Sequence, residues 1–84
     1  MDSIEITSSK SAASLKNLSM HYCLQGTLMA DEGNLNKALE NFNKAIKANP
    51  GNHIAYYNRA TIRVDLGDIE GAKKDFLNFD KLRK

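Results

Sequence analysis

The sequence predicts an all-α protein of two antiparallel helical hairpins, stacked as a short α-solenoid. Three observations predict it. The first is an internal repeat. Tyr22, Thr27, Asp31, Gly33, Ala38, Phe42 and Lys47 recur as Tyr56, Thr61, Asp65, Gly67, Ala72, Phe76 and Lys81, each pair 34 positions apart. A fixed period of that size marks stacked supersecondary units. The second is apolar spacing of three and four, the signature of a helix face. The third is the shortness of the connectors. Asp31-Glu32-Gly33-Asn34, Asn49-Pro50-Gly51-Asn52 and Leu66-Gly67-Asp68 leave room only for antiparallel neighbours.

Residues 1–13 are Ser-rich and mostly polar, and read as a flexible leader. The domain proper is expected over 14–84, with repeats at about 19–52 and 53–84. The first helix carries Leu15, Leu18, Tyr22, Gly26, Met29 and Ala30 as its expected buried stripe. Gly33 suits a left-handed position after its end, and Asn34 is the expected cap of the next helix. The second stripe is Leu35, Ala38, Leu39, Phe42, Ala45 and Ile46. The third helix starts near Asn52 or His53, with Ile54, Tyr57, Thr61 and Val64 on one side and Tyr56 and Ala60 on another. The fourth carries Ile69, Ala72, Phe76, Phe79 and Leu82. Small residues stand where helices must approach: Gly26 against Ala38, and Ala60 against Ala72.

Composition narrows the function classes. Twelve basic and ten acidic residues give a net charge of +2, without the basic stripe of a dedicated nucleic-acid binder. A single cysteine, Cys23, excludes an internal disulfide and fits a reducing cytoplasm. No apolar run approaches the ~18 residues of a membrane span, and no signal-peptide core is present. Cys23 reads as a structural thiol, because His21 two residues away faces elsewhere on a helix. No metal-ligand cluster, phosphate loop or small-molecule site stands out, so neither catalysis nor a cofactor is expected. Arg59 and Arg63, four apart on one helix face, suit a phosphate or an acidic partner; pairing with Asp75 of the neighbouring helix is the favoured reading.

The repeated residues resemble the tetratricopeptide repeat. The family pattern runs through an aromatic, a small residue four later, Gly at the turn, then Ala, an aromatic, a small residue and Pro. The first repeat supplies Tyr22, Gly26, Gly33, Ala38, Phe42, Ala45 and Pro50; the second supplies Tyr56, Ala60, Gly67, Ala72 and Phe76. Departures are Gln25 and Arg59 before the small residue, Met29 and Arg63 three after it, and Phe79 where the first repeat has Ala45. The resemblance implies a right-handed superhelix whose first helices line a concave groove for an extended peptide or a partner helix. By register that groove comprises Met20, Cys23, Leu24, Thr27, Ala30 and Asp31, then Ile54, Tyr57, Asn58, Thr61, Val64 and Asp65. The subclass that grips chaperone carboxylate tails needs Lys and Asn where this chain has Cys23 and Thr27; only Asn58 matches.

Two functions arise as expectations. The first is a protein–protein interaction module. The alternative is a structural homo-oligomer, because Phe76, Phe79 and Leu82 would be partly exposed on the last helix of these 84 residues.

Overall fold

The computed structural model describes the backbone from Asp2 to Lys84 and the side chains of residues 13–84. Its four helices are, in order, α1 Asp2–Asp31, α2 Leu35–Ala48, α3 His53–Asp65 and α4 Ile69–Leu82. Helix α1 packs on α2 and α3 on α4, giving two hairpins, and α2 joins them by packing on α3. The chain is all-α, as the period and the short turns predict.

The expected leader over 1–13 falls, but for Ala13, on residues whose side chains lie outside the description.

Both hairpins turn on the same device. Gly33 donates to the Ala30 carbonyl at 2.9 Å and Asn34 to that of Met29 at 2.8 Å. Gly67 and Asp68 repeat the pattern on Val64 at 3.0 Å and Arg63 at 2.7 Å. These paired bonds satisfy the last carbonyls of α1 and α3 and need a left-handed residue. Gly33 and Gly67 supply it, at φ 81° and 88°. The residue after the glycine behaves differently in the two corners. Asp68 accepts from the Gly71 amide at 3.0 Å and so caps α4. Asn34 occupies the equivalent position, but its side chain makes no capping bond, contrary to the sequence expectation. There the turn's own backbone bonds hold the corner.

The core is small and built on alanines. Ala38, Ala45, Ala55 and Ala60 are fully buried, with Phe42 and Ala72 almost so. Gly26 is buried as expected, but its close neighbour is Phe42 rather than Ala38. A Cβ at residue 26 would sit 2.6 Å from the Phe42 ring. Of the expected α1 stripe, Tyr22, Gly26, Met29 and Ala30 face the core, but its first two members do not. Ser19, Cys23 and Gly26 turn inward, while Leu15 and Leu18 stay 47% and 41% exposed. Leu15 and Leu18 sit beside the last turn of α2, around a shallow open hollow with Lys44, Lys47 and Ala48.

Candidate functional site: the α1–α3 groove

The hairpin geometry sets α1 and α3 side by side, each the first helix of its pair. Between them lies an open pocket of about 290 Å³, lined by Met20, Cys23, Leu24, Thr27, Asn52, Ile54 and Asn58. A second hollow of about 190 Å³ continues along the helices past Ala30, Asp31 and Thr61, floored by Phe42 and Ile62. Thr27 and Asn58 line both, so the two adjoin along the same helix pair and are together called the channel. Of the residues that register assigned to a groove, eight side chains therefore meet: Met20, Cys23, Leu24, Thr27, Asp31, Ile54, Asn58 and Thr61. Ala30 joins them.

Three assigned residues lie elsewhere. Val64 and Asp65 are exposed at the end of α3 and line neither hollow. Tyr57 turns toward α4. Its ring centroid is 5.5 Å from that of Phe76, edge-on, and 5.0 Å from that of Phe79. The cause is the size of Phe79. In the first repeat the matching position is Ala45, too small to reach the Tyr57 equivalent, Cys23. In the second repeat Phe79 offers a ring, and Tyr57 stacks on it. His53 lies 5.7 Å from the same ring, and the Arg83 guanidinium sits 5.1 Å over it. Phe76 and Phe79 are thus half-buried, while Leu82 remains 42% exposed.

The channel floor is held by a network the sequence did not announce. Ser19 is fully buried. Its hydroxyl donates to the Ala45 carbonyl at 2.6 Å and accepts from Asn52 Nδ2 at 2.9 Å. Asn52 Oδ1 in turn accepts from the Ala55 amide at 3.1 Å, capping α3. One serine and one asparagine thereby tie α1, α2 and α3 together directly beneath the pocket. The only sequence signal was the Asn52 turn; a mid-helix serine announces nothing.

Cys23 is buried at the pocket wall, and Asn58 Nδ2 donates to its sulfur at 3.7 Å. Burial pushes the thiol pKa up, and the Asn58 bond offsets this only in part. The imidazoles sit elsewhere, His21 against Tyr22 and His53 against Phe79. Among the described residues no three His, Cys, Asp or Glu side chains gather as a metal site. Among the same residues, no helix is long and apolar enough to cross a membrane.

Arg59 and Arg63 are internal. Arg59 grips Asp75 with two bonds, Nε to Oδ2 at 2.9 Å and Nη2 to Oδ1 at 2.7 Å. Arg63 Nη1 adds a third to Oδ2 at 2.9 Å. Asp75 is 1% exposed. The pair thus holds the second hairpin shut, in keeping with the favoured reading.

Comparison with known proteins agrees with this architecture. A family model described as "TPR repeat" matches residues 26–67, and one described as "Tetratricopeptide repeat" matches residues 53–84. Among curated proteins, Tetratricopeptide repeat protein 36 of Danio rerio is 46% identical over 52 residues, and so is its Homo sapiens counterpart. Each match covers 62% of this chain but only 28% of the relative, so the chain spans little more than a quarter of those proteins. An uncharacterized protein of Methanocaldococcus jannaschii is 39% identical over 56 residues, 67% of this chain and 65% of that one. No solved structure matches the chain at the same stringency.

Proposed function

From the premise that this chain belongs to the tetratricopeptide-repeat family, we propose that it is a protein–protein interaction module that holds a peptide or helix of another protein in the α1–α3 groove. Repeats of this family generally mediate protein–protein interaction. The observation that carries the reading is the apolar mouth of the channel. Met20, Leu24 and Ile54 are 60%, 64% and 49% exposed beside one hollow. Large apolar side chains grouped around a concavity and left in water favour a partner that covers them. The reading needs no catalytic step or cofactor, and a reducing cytoplasm suits its lone thiol.

The test is a pull-down from native extract with the wild type and Ile54→Asp. Ile54 is half in water, so the variant should keep the helical circular dichroism and melting temperature. Proteins held through the groove should drop out, as for an anchor contributing about 1–2 kcal/mol or more. An unchanged set of captured proteins would count against the groove.

The Tyr57–Phe79 cluster favours a second reading, self-association of last helix on last helix about a two-fold axis. Phe79 fills the space that Ala45 leaves open in the first repeat, so an ordinary next repeat cannot approach as closely there. Light scattering at about 10 μM and 500 μM spans weak to moderate self-affinity. A dimer abolished by Phe79→Glu supports this reading; a monomer mass at both concentrations ends it.

A further inference from the structure

We infer that the segment this groove takes is extended and apolar–basic: an aliphatic or aromatic side chain among Met20, Leu24 and Ile54, and a lysine or arginine about five residues away. The inference rests on the groove reading above and adds the chemistry of the occupant. The channel has two unlike ends. One is the apolar pocket of Met20, Leu24 and Ile54. Toward the other, the single charged side chain lining either hollow is Asp31. Asp65, its counterpart in the repeat, stands at the same end of the neighbouring helix. Both are exposed, and they are the last residues of α1 and α3.

Neither helix end offers these carboxylates a free basic side chain among the described residues. Helix α1 has no basic residue in its last turn. Helix α3 has Arg63, but its guanidinium is spent on Asp75, with Asp68 beside it. No ion pair among the described residues uses Asp31 or Asp65. An acidic tail would meet like charge here, while a cation would meet Asp31 in the groove and Asp65 just outside its rim. The spacing comes from helix geometry. Met20 to Asp31 and Ile54 to Asp65 are equal steps along their helices, about 16 Å at 1.5 Å per residue. An extended chain covers that in about five residues. Asn58 stands midway, and its amide holds only a long 3.7 Å bond to sulfur, so it can turn to a peptide carbonyl.

The test pans a phage-displayed library of random peptides, about twelve residues long and so able to reach both ends, on the intact chain. Enriched sequences should pair an apolar residue with Lys or Arg about five positions away. The best of them, fluorescently labelled, then serves as the probe in anisotropy titrations. Asp31→Asn with Asp65→Asn should weaken it roughly 5–10-fold at low salt, a difference that shrinks at high salt as exposed pairs are screened. Asp31→Lys with Asp65→Lys should turn the selection toward acidic peptides. If Ile54→Asp abolishes binding but the enriched peptides are acidic or show no charge preference, this inference fails and the groove reading stands. If binding ignores Ile54→Asp, or nothing is enriched, both fail.

Discussion

Asp75 lies where the first repeat has Asn41, and its two oxygens accept three bonds from two arginines. Buried charge is tolerable only when so fully paired. Asp75→Ala should therefore cost about 3 kcal/mol, read by urea denaturation, since it leaves Arg59 with only Asn43 and Arg63 with only Asp68 and the Gly71 carbonyl. Replacing the whole triad, Arg59→Leu, Arg63→Met and Asp75→Leu together, should give a stability equal to or above the wild type's. Cys23 makes a second residue-scale prediction. Its folded pKa lies above the ordinary 9.0, because the buried thiolate loses hydration. On alkalinisation the unfolded chain then loses its thiol proton first. The thiol's contribution to stability is intact below that pH and fades as pH rises through the folded value. A Cys23→Ala variant should show a shallower alkaline loss of melting temperature, and wild-type alkylation should lag that of the urea-unfolded chain.

At the scale of the elements, the corners separate positions that look alike in sequence. Asn34, Asn52 and Asp68 all precede helices, yet only the last two cap with their side chains. Asn52→Ala should cost about 1–2 kcal/mol and Asp68→Ala about 1 kcal/mol, while Asn34→Ala should stay within about 0.5 kcal/mol. Thermal melts of the three variants check this. The four helices and their turns were legible because Gly33 and Gly67 demand a conformation other residues resist, and because spacing reports a face. Six lining residues of the pocket were legible from register. Tyr57 was not, because register fixes a backbone position but a neighbouring Phe79 decides where the side chain turns. Ser19 and Asn52 were hidden for a similar reason: they are 33 residues apart, and only packing brings them together.

At the scale of the molecule, α3 joins the hairpins by packing on α2 and, more lightly, on α1, and among the described residues α4 does not pack on α1. Stability in such a stack is a sum of units and joints. Ala55 is fully buried at this joint, so Ala55→Leu should cost about 1–3 kcal/mol by overpacking and let the hairpins melt in separate steps, seen by calorimetry. The repeat also poses a problem of folding fidelity. Helices α1 and α3 resemble each other, as do α2 and α4, so a chain, or two chains, can in principle exchange partners. The Arg59–Asp75–Arg63 triad makes that exchange unfavourable. Pairing α3 with α2 would set two arginines against Asn41, and pairing α1 with α4 would set Asp75 against Gln25 and Met29. The buried charges act as a lock fitted to one key. The fully apolar triple variant should thus trade selectivity for stability, refolding in part to hairpin-swapped dimers that size-exclusion chromatography resolves and that refolded wild type should lack.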